Sequence, residues 1–183
     1  NDNIGIGYLA AATQDNFASQ NVVVGSKALF SNTTGSGKTA IGHEALFADT
    51  MTSIIGETAV GYHAMRNSTN SQFNTAVGGY ALQNTGVGAT SANFWGGFNT
   101  AVGHGSLISN LTGFSNVAVG VSALSGNQTG VGNVAIGTYA NSNGIKSARN
   151  VTIGYFAGFN NDSTQNVFVG EGCGFNNTTG SRN

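Results

Sequence analysis

A nine-residue segment returns along this chain at a nearly fixed interval, and that interval constrains the fold more than any single residue does. The copies read NIGIGYLAA from Asn3, NVVVGSKAL from Asn21, KTAIGHEAL from Lys38, ETAVGYHAM from Glu57, NTAVGGYAL from Asn74 and NTAVGHGSL from Asn99. They continue as NVAVGVSAL from Asn116, NVAIGTYAN from Asn133, NVTIGYFAG from Asn150 and NVFVGEGCG from Asn166. The steps between first positions are 18, 17, 19, 17, 25, 17, 17, 17 and 16 residues, so ten copies follow a period of essentially 17. The next first position falls on Asn183, the last residue, which is what a piece cut from a longer array would show. One repeat of this size cannot bury its own apolar face; it must stack on its neighbours.

The columns of the repeat set the local geometry. Position four is β-branched in every copy: Ile6, Val24, Ile41, Val60, Val77, Val102, Val119, Ile136, Ile153 and Val169. Position two is Ile, Val or Thr throughout, and such residues favour extended backbone. Position three is mostly alanine. Position five is always glycine, at Gly7, Gly25, Gly42, Gly61, Gly78, Gly103, Gly120, Gly137, Gly154 and Gly170, which suits a sharp corner or a close backbone approach. Strand side chains alternate, so positions two and four point one way and three and five the other. Both faces are then apolar, one bulky and one tiny, and a strand apolar on both faces is covered on both. The chain is expected to be all-β, a parallel β-solenoid or β-roll of about ten 17-residue coils over residues 1–183, with Val24, Ile41, Val60, Val77, Val102, Val119, Ile136, Ile153 and Val169 and the glycines from Gly25 to Gly170 as its repeating core. The second apolar face calls for another copy of the chain.

Position eight is small (Ala28, Ala45, Ala64, Ala81, Ala123 and, once, Cys173), and position nine is often Leu or Met. Polar turns such as SNTTGSG and SGNQTGVG follow, built from residues that tolerate positive φ or bond their own backbone. Nine of the eleven first positions are Asn, so stacked coils can form an amide ladder.

The pattern N-[TV]-A-[VI]-G-x-x-A-L, followed by x-x-N-x-T-G, resembles the head repeats of trimeric autotransporter adhesins and similar repeats of phage tail fibres and bacterial surface fibres. The adhesin heads so resembled are left-handed parallel β-rolls in which three chains pack around an axis. Their repeats are shorter than 17 residues, which leaves the coil cross-section open. The resemblance implies a homotrimeric, non-enzymatic, extracellular fibre segment on a virion or a bacterial cell, without cofactor, that presents a surface to a host receptor, glycan or matrix component. A break in the threonine column at position two argues against the alternative of an ice-binding solenoid.

Composition fits a fibre. Only 7% of residues are charged and the net charge is −1, against roughly 25% charged residues in ordinary globular chains, so no basic nucleic-acid footprint exists. No apolar run approaches the roughly 20 residues of a membrane span, so no membrane insertion is expected in this segment. At about 4.8 Å per coil, ten coils give a rod on the order of 50 Å long.

Several residues invite a chemical reading. The stretch GSGKT, with Gly37, Lys38 and Thr39, ends like a phosphate-binding loop, but Asn32 stands where its first glycine belongs and no helix follows. Lys38 and Thr39 are positions one and two of the third copy. Gly130, Gly132 and Ala135 match a dinucleotide fingerprint only in outline. His43, His63 and His104 fall just beyond the glycine and would meet symmetry mates if they lay near a trimer axis, where a metal or anion could bind. Cys173, the single cysteine, sits in the small column as a packing residue. The N-x-[ST] triplets at Asn32, Asn67, Asn110, Asn127, Asn161 and Asn177 are by-products of the repeated turn. The 25-residue step holds about eight extra residues within 83–98, including Phe94, Trp95 and Phe98, and an insertion on a rigid solenoid is a natural ligand-binding loop.

Overall fold

A computed structural model describes residues 2–15, 18–50, 56–87 and 96–183. Within them the chain winds as a β-solenoid with no helix. Each coil contributes one three-residue strand: β1 (Ile4–Ile6), β2 (Val22–Val24), β3 (Thr39–Ile41), β4 (Thr58–Val60), β5 (Thr75–Val77), β6 (Thr100–Val102), β7 (Val117–Val119), β8 (Val134–Ile136), β9 (Val151–Ile153) and β10 (Val167–Val169). The strands form one parallel sheet in sequence order. Repeat position pairs with repeat position throughout, as in Thr39↔Thr58 and Val119↔Ile136. The 25-residue step leaves this register intact, because Thr75, Ala76 and Val77 pair with Thr100, Ala101 and Val102.

The interior is thinner than the sequence suggests. Position three points inward, and Val23, Ala40, Ala59, Ala76, Ala101, Ala118 and Ala135 are wholly buried. They pack against the position-eight alanines and against Leu29, Leu46, Met65, Leu82, Leu107 and Leu124 of position nine. The β-branched column at position four is therefore not the core of the coil. Ile41, Val77, Val102, Val119, Ile136 and Val169 are exposed on the outer sheet face, and Val24, Val60 and Ile153 are half-buried there. A coil of 17 residues has room for alanine opposite leucine but not for a second row of branched side chains.

The position-five glycines are held by two demands at once. Their φ values lie between 127° and 142°, a region L side chains rarely adopt. A Cβ on Gly103 would also stand 2.4 Å from the carbonyl oxygen of Gly120 in the next coil. The corner expected from the sequence is thus also the point where successive backbones come closest.

After the glycine the chain turns while keeping its bonds between coils. Residues at positions seven and nine adopt left-handed backbone even when they are not glycine, for example Lys27 at φ 55°, Leu29 at 49°, Tyr139 at 58° and Leu124 at 51°. Among the described residues, none of the non-glycine residues with positive φ is Val, Ile or Thr, the types for which that conformation is most strained. The left-handed residues aim their N–H groups along the rod in alternate directions. Lys27 N donates back to Tyr8 O at 2.8 Å, whereas Leu29 N donates forward to Ala45 O at 2.8 Å.

The polar end of each coil is closed by asparagine. Asn116 Oδ1 accepts from the backbone N of Asn133 at 2.9 Å, and Asn133 Oδ1 accepts from Asn150 N at 3.1 Å. The Nδ2 of the same Asn116 donates across its coil to Gly130 O at 2.9 Å. A second asparagine, eleven residues on, converges on the same carbonyl: Asn127 Nδ2 reaches Gly130 O at 3.3 Å. Gly113 O is clamped in the same way by Asn99 and Asn110, each at 3.0 Å. The expected amide ladder is present and doubled.

We expect Gly103→Ala to lower stability far more than Gly105→Ala. Both glycines have positive φ, and that strain costs about 1–3 kcal/mol. Only Gly103 has backbone within 4 Å of the added methyl, which adds an overpacking cost of about 1–3 kcal/mol or more. Thermal denaturation of the two variants measures the difference.

Candidate functional site

Three surfaces carry chemistry that the coil itself does not use. The first is the outer sheet face. Positions two and four form two rows in strict register, Thr39, Thr58, Thr75 and Thr100 continuing into Val117, Val134 and Val151 beside the position-four valines and isoleucines. The position-two side chains from Thr39 to Val151 are half-buried by their own neighbours. At position four, Ile41 through Ile136 keep 36–40% of their surface where exposed, and Val169 keeps 64%. The face is regular in register and apolar apart from the position-two threonines.

The second surface lies just beyond the glycine corner, where left-handed backbone pushes positions six and seven outward. Aromatic and imidazole rings stack along it: His43 on Tyr62 at 5.3 Å, Tyr62 against His63 at 3.9 Å, and Tyr80 edge-on to His104 at 5.5 Å. Glu44 is the hub of this region. Its Oε2 accepts from Arg66 Nε and lies 3.3 Å from His63 Nε2, and its Oε1 is 4.0 Å from Lys27 Nζ. The Arg66 hydrogen bond comes first among the causes that hold the Glu44 carboxyl below its usual range. His63 is also shifted down, by burial first and by the Arg66 charge next, so at neutral pH its ring is uncharged.

His43, Glu44 and His63 place one ligand atom each within 4.8 Å of one another, and among the described residues they are the one group of that kind. His104 does not join them; it packs on Tyr80. A cation at this spot would compete with Arg66 for the same carboxylate oxygen. The arrangement as built is an ion-pair cluster with stacked rings.

The third surface is the aromatic one expected in the insertion. Phe94 and Trp95 lie outside the described residues. Phe98 stacks on Phe73 at 5.2 Å, and each is the residue before a ladder asparagine. Phe98 therefore belongs to the regular coil, where its backbone N donates to Gln72 O at 2.9 Å. The coil frame also includes Gly86 and Gly96, whose N–H groups donate to Leu111 O and Thr112 O.

Other sequence signals resolve into packing. Lys38 is 1% exposed and points into the polar end of its coil, where its Nζ donates to Asp49, so a phosphate has no path to it. Gly130 supplies the clamped carbonyl, and Ala135 lies in the buried alanine column. Asn32, Asn110, Asn127 and Asn161 are wholly buried, which removes them as sugar acceptors in the folded chain. Cys173 is exposed in the last coil described, whereas the same column is buried from Ala28 to Ala157. No helix of the described residues is long and apolar enough to cross a membrane.

The sequence reading missed the partners of Lys38. The signal was present: Lys38 and Glu57 are the two first positions that are not asparagine, they are consecutive rungs of the ladder, and Asp49 replaces the second asparagine of the intervening coil end.

Comparisons with protein-family models, with curated proteins and with solved structures returned no match to this chain.

In Arg66→Ala the Glu44 carboxyl is expected to titrate higher than in the parent, because its leading stabiliser is gone. His63 should also titrate higher, since the repelling guanidinium is removed while Glu44 remains. Side-chain NMR titration of both residues reads the two shifts, and an unmoved Glu44 would contradict this account of the cluster.

Proposed function

We propose that this chain is a structural and adhesive segment of a homotrimeric fibre, non-enzymatic, exposed outside the cell or virion that bears it. The observation that carries the reading is the outer sheet face. The coil interior is already complete with alanine and leucine, yet an in-register apolar face continues along the rod. Contiguous exposed apolar surface on this scale marks an interaction site. A partner that covers every rung must share the coil spacing, and another copy of the same chain does so automatically. Three copies, each turning this face toward a common axis, would bury it without leaving an edge, as in the adhesin heads and tail fibres that the repeat resembles.

Composition supports the same role. A rod with 7% charged residues offers uncharged turns of Asn, Thr, Ser and Gly to its surroundings. The ring-lined strip at Tyr62, His63, Tyr80 and His104, together with the extra sequence that includes Phe94 and Trp95, are the places we assign to contact with a host receptor, glycan or matrix component. Phage fibre and bacterial surface adhesin both fit this description.

The same face favours one other reading, because a crystal lattice such as ice also has a fixed repeat. Thr39, Thr58, Thr75 and Thr100 stand on it in unbroken succession. An ice binder would use the face as a monomer and would depress the freezing point relative to the melting point.

Solution mass, by sedimentation equilibrium or light scattering, is expected to give three chains per particle. Val102→Asp should yield a folded monomer, since the side chain points out of the coil but into the proposed seam. Ala101→Asp, one residue away and pointing inward, should unfold the coil itself. A monomeric parent chain showing thermal hysteresis would replace the fibre reading with the ice-binding one.

A further inference from the structure

We propose that Lys38 and Asp49 become joined by an amide bond between their side chains, with Glu57 relaying the protons. The bond would lie across the polar end of the third coil, and the reaction needs nothing beyond these three residues.

The site arises by substitution within the asparagine frame. In four other coils the first-position asparagine and the one eleven residues later bring their side chains together on one carbonyl, that of Gly35, Gly113, Gly130 or Gly180. In the third coil those two places hold Lys38 and Asp49, and the next first position holds Glu57. The frame that brings two amides together here brings an amine against a carboxyl.

The side chains of Lys38, Asp49 and Glu57 are fully shielded from water. Lys38 Nζ donates to Asp49 Oδ2 and lies 3.8 Å from Glu57 Oε2. Glu57 is fixed at one oxygen and open at the other. Its Oε1 accepts from Ser71 Oγ at 2.9 Å and from Asn74 Nδ2 at 3.4 Å. Its Oε2 is buried and has no hydrogen-bond partner among the described residues. A buried carboxyl oxygen left unpaired beside an amine is costly for a purely structural ion pair, and it is the arrangement a proton relay requires. Burial, followed by the nearby Asp49 charge, pushes the Glu57 carboxyl up to about 8, so at neutral pH it holds a proton to give.

The chemistry balances without an added reagent. Within the Lys38–Asp49 hydrogen bond one proton passes from ammonium to carboxylate, leaving a neutral amine and a neutral acid, which a dry interior favours over separated charges. The Nζ lone pair attacks Asp49 Cγ, forming the C–N bond. Glu57 gives its proton to the departing hydroxyl, so the C–O bond breaks and one water leaves, and the Glu57 carboxylate then takes back the surplus proton from Nζ. No atom is oxidised or reduced. Holding amine and carboxyl in contact supplies the proximity that the same pair lacks in water. The product removes two buried charges and closes the third coil into a covalent ring.

Intact-mass measurement of the purified chain decides the matter. The expected mass is lower than that calculated from the sequence by one water, and it persists after denaturation and reduction. Trypsin should fail to cut after Lys38, and tandem mass spectrometry should find Lys38 and Asp49 in one branched fragment. Asp49→Asn, which restores the residue usual at that place, should reach the same product by losing ammonia. Glu57→Gln should keep its full calculated mass. A parent chain of full mass, with Lys38 and Asp49 recovered in separate unbranched peptides, overturns the bond and requires no variant to fold. A branched Glu57→Gln chain overturns the relay.

Discussion

Successive coils touch backbone to backbone, and the rest of the structure follows from that contact. At the corner after each strand, the glycine of one coil lies against the glycine carbonyl of the next, with no room for a single methyl group. Such closeness is what a parallel sheet with three-residue strands needs, since each strand brings few ladder bonds of its own and must be extended by bonds in the turns. The turn residues supply them. Left-handed backbone at positions seven and nine alternately sends N–H groups to the coil before and the coil after, so the inter-coil bonding runs well beyond the strands. The alanine interior is a second result of the same economy, because a narrow coil places its two walls within reach of small side chains only.

Much of this was legible in the letters. The ten strands, their parallel order and the glycine corner follow from the 17-residue period and from the invariant position five. The asparagine at position one announced the ladder. Which face is inside was not legible, because alternation distinguishes two faces without saying which is enclosed, and Val102 looks like core while Ala101 looks like filler. The cross-section decides: seventeen residues enclose the alanine side. Left-handed turn residues were hidden as well, since Leu29, Tyr139 and Lys27 carry no special mark; their signature is the absence of β-branched residues at those positions. The meeting of Lys38, Asp49 and Glu57 escaped because their neighbourhood exists only once two coils are stacked.

The polar end of the rod shows how a thin solenoid handles buried amides. Each clamped carbonyl receives two side-chain donors, and each ladder oxygen receives the next coil's backbone. Where the usual residue is missing, another reaches in. Gly144 occupies a place where asparagine is usual, and Asn141, from the leucine column, turns its amide to Ser147 Oγ at 3.0 Å. The backbone carbonyls and N–H groups of the ladder are served in this way from coil to coil, whereas single side-chain atoms such as Asn127 Oδ1, Asn141 Oδ1 and Asn161 Nδ2 are buried without a partner among the described residues.

The strand pairing between β5 and β6 is as regular as any other although the chain between them is eight residues longer. Length added at that joint is therefore invisible to the rungs on either side. A rod with this property has a docking port for foreign sequence: peptides or small modules spliced there would ride on the shaft at a fixed height, displayed without renegotiating the scaffold beneath them.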